Sequence, residues 1–339
     1  MKVNGNSLSG QKRILIVTDA WEPQVNGVVT TLKNVVKELE LLGHNVRVIT
    51  TEDCILKIPT PYPDVTMGFW LDHSPKQMIN GFDHIHIATP EGSIGKKYLN
   101  AVIKSGRKFT TGYHTKWPEF LHAMFKLPAN LTYWYMRKLH RHSSAVMVPT
   151  ETAKIELEQK GFTNVVSWTR GVDREQFEYN DKPSKFPILV CVSRISKEKG
   201  LDDFCELPTP GYTKVVVGDG PYLNELKDKY PDVTFTGVKH GKPLAESYRQ
   251  ATCFVFPSRS DTFGVVMIES MACGTPVAAY PVTGPLDVIE EGVTGCMNED
   301  LFQAIQDACN LDRGTVYEGS LKWTWRNCAK QFLSHLAHV

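Results

Sequence analysis

The sequence predicts an α/β protein made of two doubly wound, Rossmann-like domains in tandem, and three observations lead there. Apolar runs of strand length alternate with segments of helical periodicity along nearly the whole chain, the pattern of parallel sheets crossed over by helices. The alternation runs twice, and between the two series residues 178–187 (EYNDKPSKFP) have the composition of a linker. Finally, 339 residues give two domains room to bury a core each. The expected division is 1–177 and 178–321, with a C-terminal stretch 322–339 that either finishes the second domain or packs back on the first.

Arg13–Val17 (RILIV) reads as the buried strand that opens the first series. The loop from Thr18 to Gly27 is dense in turn formers. From Val28 the apolar positions 28, 29, 32, 35, 36, 39 and 42 keep helical spacing until Gly43. Asn45–Thr50 is the next strand. This opening unit lacks G-x-G-x-x-G in its loop, so the dinucleotide fingerprint is absent. Phe82–Ile87, Phe109–Tyr113 and Ala145–Pro149 read as further strands, with helices near 93–105 and over Glu151–Lys160. The second series has strands at Ile188–Val192, Lys214–Val217, Val233–Thr236, Cys253–Phe256 and Pro276–Ala279. Its helical segments begin near Lys197 and run over 222–229, 265–273, 285–290 and 299–310. The tail from Trp323 to Leu336 is amphipathic.

Composition is that of a soluble globular protein, with 42% hydrophobic and 22% charged residues and a net charge of +1. No apolar run reaches the length of a membrane span, and the start, MKVNGNSLSGQKR, reads as a short frayed tail rather than a signal peptide. The eight cysteines form no C-x-x-C pair and fall mostly in apolar segments, which favours buried reduced thiols in a cytoplasmic protein over disulfides or a zinc site. The net charge hides an asymmetry. Residues 1–177 carry 22 Lys and Arg against 16 Asp and Glu, or +6, and the remainder 16 against 21, or −5. Within 96–141 there are ten basic residues and one acid, Glu119. Lys96, Lys97, Lys104, Arg107 and Lys108 precede Leu131–Arg141 (LTYWYMRKLHR), where aromatics and cations mix. Such a face suits an anionic membrane surface. A solvated charged face is the plainer alternative, and no nucleic-acid motif accompanies the charge.

The chemistry concentrates in Pro257–Pro276 (PSRSDTFGVVMIESMACGTP). It follows a buried strand, turns through polar residues, and enters a helix that stops at Gly274, a residue suited to a left-handed cap. Asp261 falls in the strand-to-helix loop and Glu269 about one turn inside the helix, while the N–H groups of Phe263, Gly264 and Val265 would attract an anion. Two acids around such a turn suit a ligand with hydroxyls at both ends and phosphate between. Ser193–Gly200 (SRISKEKG) puts Arg194 and Lys199 at another strand end, where they either clamp a diphosphate or form an ordinary solvated loop. Gly218 and Gly220 (GDGP) read locally as a plain turn, and Asn26-Gly27 as a helix start that either admits a phosphate or caps the helix. His114 ends a strand, where it orients a reacting hydroxyl or serves structure. Arg170 points into an interdomain cleft or pairs with a nearby acid. His84 and His86 share a strand face, which suggests packing rather than metal ligation.

In order, these motifs resemble those of the retaining glycosyltransferases of family 4, which have the GT-B fold: two Rossmann-like domains facing across a cleft. The resemblance runs from about Arg13 to the end. The family's E-x7-E pair corresponds to Asp261 and Glu269, its G-R-x-x-x-E-K-G pattern to Ser193–Gly200, and its E-P-x-x-N-G-V loop to residues 22–28; YHT at 113–115 and GDGP at 218–221 also match. The sequence departs in having Asp261 where many members have Glu, and Ser193 before Arg194 in place of Gly. The resemblance implies that Gly27, Arg194 and Lys199 hold the donor diphosphate and that Glu269 takes the ribose hydroxyls. It implies that Asp261, with the backbone of Phe263, Gly264 and Val265, grips the donor sugar and phosphate. Gly218 and Gly220 would line the donor site, His114 would sit by the reacting sugar, and Arg170 near the cleft.

D-T-F-G at 261–264 and R-G-V-D at 170–173 look most like a bacterial subgroup that glycosylates diacylglycerol and related lipids. The expected activity is therefore retaining transfer of a hexose or hexuronic acid from a UDP- or GDP-sugar to a lipid. The expected place is the cytoplasmic side of a membrane, reached peripherally through the basic region 96–141. No D-x-D occurs, so no metal or other cofactor is expected, and nucleic acid is not an expected partner. A soluble saccharide acceptor, a sugar-nucleotide epimerase and a non-catalytic nucleotide-sugar binder remain as alternatives.

Overall fold

In the computed structural model, which describes residues 10–24, 26–59, 66–118, 121 and 126–336, the run Arg13–Val17 forms β1, around which the first sheet is assembled. Its order is β2-β1-β5-β6-β7-β8, from β2 (Asn45–Ile49), β5 (His84–Ile87), β6 (Thr110–Gly112), β7 (Ala145–Val148) and β8 (Val165–Ser167). The pairings from β2 through β7 are parallel. Ile14, Leu15, Ile16 and Val17 are fully buried, as expected of a central strand covered by helices on both faces. A separate antiparallel hairpin, β3 (Cys54–Pro59) with β4 (Thr66–Leu71), follows β2.

The second sheet has the order β11-β10-β9-β12-β13-β14. Its strands are β9 (Ile188–Val192), β10 (Thr213–Val217), β11 (Thr234–Phe235), β12 (Cys253–Phe256), β13 (Val277–Ala279) and β14 (Gly295–Met297), again paired in parallel. The helices that bear on function are α1 (Gly27–Leu41), α2 (Ser93–Ser105), α3 (Ala129–His140), α4 (Gly241–Gln250), α5 (Val265–Ala272) and α6 (Trp325–Leu336). Gly274, with φ +77°, takes the left-handed conformation just past α5.

In each sheet the strand order reverses once, between β1 and β5 in the first and between β9 and β12 in the second. An open α/β sheet binds ligands in the crevice beyond the carboxyl ends of the strands at such a reversal. The loops that leave those four strands are therefore the ones to inspect.

The chain forms two compact units. One runs to Val148 and includes Leu157–Val166 and the residues from Ala329 onward; the other comprises Pro149–Glu156 and Ser167–Cys328. Residues 167–177, grouped with the first domain on sequence, thus cluster with the second unit. The stretch 178–187, expected as a linker, is bound into that unit as well. The Asn180 side-chain amide donates to the carbonyls of Lys182 and Arg249, the Ser184 N–H donates to the Gln250 carbonyl, and Arg313 Nε donates to the Asn180 carbonyl. Polar composition here supplies hydrogen bonds to packed backbone, which composition alone cannot distinguish from solvation. In the first unit, Phe332 of α6 meets His86 of β5 edge-on at 5.0 Å. His86 is itself buried against Thr110, with Nδ1 2.9 Å from its hydroxyl. All eight cysteines are unpaired, and all but the half-buried Cys309 are buried. Residues 1–9 of the tail read over 1–13, and the acid Glu119, lie outside the described residues.

Candidate active site

At the reversal in the second unit, the loop after β9 carries the cations. Backbone bonds fix it: the Ser193 N–H donates to Val217 O, Ile195 N–H to Asp219 O, and Tyr222 N–H to Ile195 O. These bonds explain Gly218 and Gly220. A Cβ on Gly218 would lie 1.9 Å from the Ser193 carbonyl, and one on Gly220 2.2 Å from the Ile195 carbonyl. The GDGP turn is thus the brace against which the Arg194 loop rests, a close approach that only glycine permits.

From that loop Lys199 Nζ donates to Asp261 Oδ1 at 2.7 Å, the side chains being 22% and 24% exposed. The second oxygen, Asp261 Oδ2, is buried and takes no hydrogen bond from a described residue. Arg194 is exposed and forms no ion pair among the described residues. A pair that water still reaches is worth about 1 kcal/mol or less, so exchange of one partner for a ligand oxygen costs little.

Asp261 lies three residues before Gly264, whose φ of +82° turns the chain into α5. The first N–H groups of α5 lack partners within the helix and carry the positive end of its dipole. Phe263 is buried and packs edge-on against Trp323 at 5.5 Å, which leaves its backbone rather than its ring to line the loop. On the next turn, Tyr248 of α4 donates its hydroxyl to Glu269 Oε2 at 3.0 Å. Burial pushes the Glu269 carboxyl up to about 7, and the tyrosine bond opposes that rise. Lys199, Asp261 and the start of α5 thus meet at one strand reversal, with Glu269 one turn along α5 and Arg194 on the Lys199 loop.

The first unit holds the remaining candidates. Gly27 opens α1, and a Cβ there would meet nothing within 4 Å; the cap itself is Asn26, whose Oδ1 accepts from the Val28 and Val29 N–H groups. His114 follows β6 and is half-buried, its ring so close over Gly112 that a Cβ there would lie 2.5 Å from Nε2. Arg170, in the second unit, is 4% exposed. Its guanidinium donates to the carbonyls of Trp168 (2.6 Å) and Thr169 (3.0 Å) and stacks 4.8 Å over the Trp168 ring. Burial lowers its pKa to about 10. The structure therefore binds the Arg170 guanidinium into its own turn, on carbonyls and an indole ring rather than on the nearby acid that the sequence left open.

Three features escaped the sequence reading. Tyr248 lies on α4, a helix that the reading passed over. Asp19, in the loop after β1, accepts from Ser93 Oγ (2.7 Å), Ile94 N (3.0 Å) and Gly95 N (3.0 Å) at the start of α2. Glu91 accepts from Trp117 Nε1 at 2.8 Å, and burial pushes its carboxyl up to about 7. An acid directly after a β-strand was the available signal for Asp19; nothing local marked the other two.

Comparison with known proteins gives this site its class. Residues 25–176 match the model of glycosyltransferase family 4, and residues 186–310 that of the group 1 glycosyl transferases. A GDP-mannose-dependent alpha-mannosyltransferase of Mycobacterium tuberculosis is 29% identical over 84% of this chain and 83% of its own length. The alpha-monoglucosyldiacylglycerol synthase of Streptococcus pneumoniae is 27% identical over 87% of this chain and 78% of its own. Among solved structures, HepE of Anabaena in complex with UDP-glucose superposes with a TM-score of 0.72 at 18% identity, covering 97% of this chain and 100% of that one. The architecture is GT-B. The chain belongs to the family 4 glycosyltransferases and is an enzyme of that class.

Proposed function

We propose that the protein transfers a hexosyl or hexuronosyl group from a UDP- or GDP-α-sugar to a hydroxyl of a membrane lipid, diacylglycerol in the first instance, with retention at the anomeric carbon. The observation that carries the donor half is Lys199 held 2.7 Å from Asp261 at the strand reversal of the second unit, with Asp261 Oδ2 buried and without a hydrogen-bond partner among the described residues. Lys199 and Arg194 receive the diphosphate, α5 offers its first N–H groups, Asp261 takes a sugar hydroxyl and Glu269 the ribose diol. In the first unit, Gly27 admits a phosphate to the start of α1, and His114 attends the reacting sugar.

The step breaks the bond between C1 and the phosphate oxygen and forms one between C1 and the acceptor oxygen on the same face. The acceptor proton passes to the leaving phosphate. Lys199 and Arg194 stabilise the charge that develops there, without a metal clamp.

The lipid half rests on the surface of the first unit and on what the relatives are named for. Leu131 and Trp134 stand exposed on α3, and Lys138 lies over the Trp134 ring at 5.7 Å. Lys96 and Lys97 of α2 lie over Tyr135 and Phe69, joining α3 to the hairpin, where Ile55 is 73% and Trp70 68% exposed. Apolar and aromatic groups among cations suit an anionic bilayer surface. No described helix is long and apolar enough to cross a membrane. As part of the same proposal, we put the enzyme peripherally on the cytoplasmic face.

The test is a panel of UDP- and GDP-sugars with diacylglycerol vesicles, products identified by mass spectrometry and their anomeric configuration by NMR. An α-glycosyl lipid from one donor is expected. A β-linked product would overturn retention, and transfer only to soluble saccharides would overturn the lipid acceptor.

A further inference from the structure

The proposed donor site leaves Tyr248 unexplained. Its side chain is fully buried, yet its hydroxyl reaches the edge of that site and donates to Glu269 Oε2 at 3.0 Å. The ring is gripped independently of that bond. It packs edge-on against Phe254 at 5.5 Å and Phe177 at 6.0 Å, and the Thr275 hydroxyl donates to the Tyr248 carbonyl at 2.7 Å. The hydroxyl is therefore held in place by packing, and α4 delivers it to one oxygen of the carboxylate only. The other oxygen, Oε1, takes no hydrogen bond from a described residue.

We infer that Tyr248 is a positioning residue of the donor site: its hydroxyl fixes Glu269 Oε2, so that the carboxylate stays ionised with Oε1 turned to the two hydroxyls of a ribose.

The inference rests on the assignment of Glu269 to the donor. A vicinal diol offers two O–H donors, and the ionised carboxylate accepts them more strongly than the neutral acid does. Burial works against ionisation and pushes the carboxyl up to about 7, and the Tyr248 bond is the contact that counters it. The groups facing the carboxyl are few. Tyr248 approaches from α4, Cys273 from just beyond the end of α5, and Cys191 of β9 lies beside the tyrosine. Burial pushes both thiols up, that of Cys273 to about 12, and holds them neutral. Arg249, Arg313 and Glu246 act on Cys273 rather than on the carboxyl. Without the tyrosine hydroxyl, then, Glu269 protonates at a higher pH and the diol loses an acceptor.

The experiment is calorimetric titration of the UDP- or GDP-sugar that the panel selects, from pH 5.5 to 9, into the wild type, Tyr248→Phe and Glu269→Gln. Wild-type affinity rises through a midpoint near 7. In Tyr248→Phe, which keeps the ring packing, the midpoint moves up by about one unit, the loss expected for a hydrogen bond to a charged group. Affinity then falls several-fold at pH 7 and returns to within twofold of wild type at pH 9. That rescue would not follow from loosened packing alone. Glu269→Gln is flat across the range. An unmoved midpoint in Tyr248→Phe beside a flat Glu269→Gln overturns the role of Tyr248 alone. Wild-type affinity and slope in Glu269→Gln overturn both this inference and the donor assignment on which it rests. Carbon-13 NMR titration of the Glu269 carboxyl in the unliganded proteins gives a second reading, and an unshifted carboxyl in Tyr248→Phe contradicts the inference there too.

Discussion

Both units reverse their strand order once, and each sets an aspartate in a loop beside the reversal, yet the two carboxylates are used differently. In the first unit Asp19 turns onto the start of α2 and accepts from Ser93, Ile94 and Gly95, so the unit's own carboxylate occupies the place where a ligand anion would otherwise sit. In the second unit Asp261 leaves the start of α5 uncovered. It pairs sideways with Lys199 and keeps one oxygen without a partner among the described residues. The same architecture thus supplies one self-capped reversal and one open to a ligand.

The largest effect is expected where the open reversal is broken. Lys199→Ala should lower turnover about a hundredfold, near 2.7 kcal/mol in the barrier, as loss of one preorganised stabilising group does elsewhere. Its melting temperature should stay within about 2 °C of wild type, since a pair of this exposure adds about 1 kcal/mol or less to stability. Steady-state kinetics and a thermal melt decide it. Wild-type turnover would remove Lys199 from the chemistry.

Asp19→Ala should do the reverse. It removes a helix cap and bonds to a charged acceptor, and a loss of about 2 kcal/mol in stability is expected. Donor affinity should be unchanged. Denaturant unfolding followed by donor calorimetry checks both halves. A weaker donor with unchanged stability would mean that the first reversal is also a ligand site.

How much of this contrast could be read from the sequence follows from what a motif contains. Asp261, Glu269, Lys199 and Arg194 lie in short stretches whose strand-to-helix setting is written locally, so their place at a strand end was legible. Their partners were not. That Lys199 meets Asp261 depends on β9 and β12 being neighbours, a fact of sheet order that neither stretch carries. Tyr248 reaches Glu269 only because α4 packs on α5. For Arg170 the sequence left two alternatives open, and only the packed structure reveals that its guanidinium bonds the Trp168 and Thr169 carbonyls and stacks on the Trp168 ring. The strand series was legible from apolar runs, whereas the hydrogen bonds that tie residues 178–187 into the second unit were not, because polar side chains that hold backbone resemble polar side chains in water.

The two units also offer a matched pair of half-buried acids, Glu91 and Glu269, both pushed up to about 7 by desolvation. In the unfolded chain each ionises near 4.5. A raised folded pKa makes the stabilising contribution fullest below about 4.5 and removes it as pH rises through 7. The melting temperature should therefore fall between pH 6 and 8. Donor affinity should move the other way, by about tenfold over the same span, because the competent ionised fraction of Glu269 grows by about that factor. Glu91→Gln should lessen the fall in melting temperature and leave the donor slope intact, whereas Glu269→Gln should lessen that fall too and flatten the donor slope. Loss of the donor slope in Glu91→Gln would place that acid in the donor site.

The smallest effect concerns the surface of the first unit, where Lys96, Lys97 and Lys138 lie over the rings of Tyr135, Phe69 and Trp134, and Leu131 and Trp134 are exposed. Each cation near an anionic surface is worth about 1 kcal/mol at physiological salt, and less as salt shortens the screening length. Lys96→Glu with Lys97→Glu should lower co-sedimentation with vesicles containing phosphatidylglycerol several-fold at 0.1 M salt. The difference should shrink at 0.5 M, with turnover on a short-chain soluble diacylglycerol unchanged. Trp134→Ser should weaken binding at both salt concentrations, because burial of the ring in the interface does not depend on screening. Equal binding of wild type and both variants would leave this surface as solvated charge and move the lipid contact elsewhere on the protein.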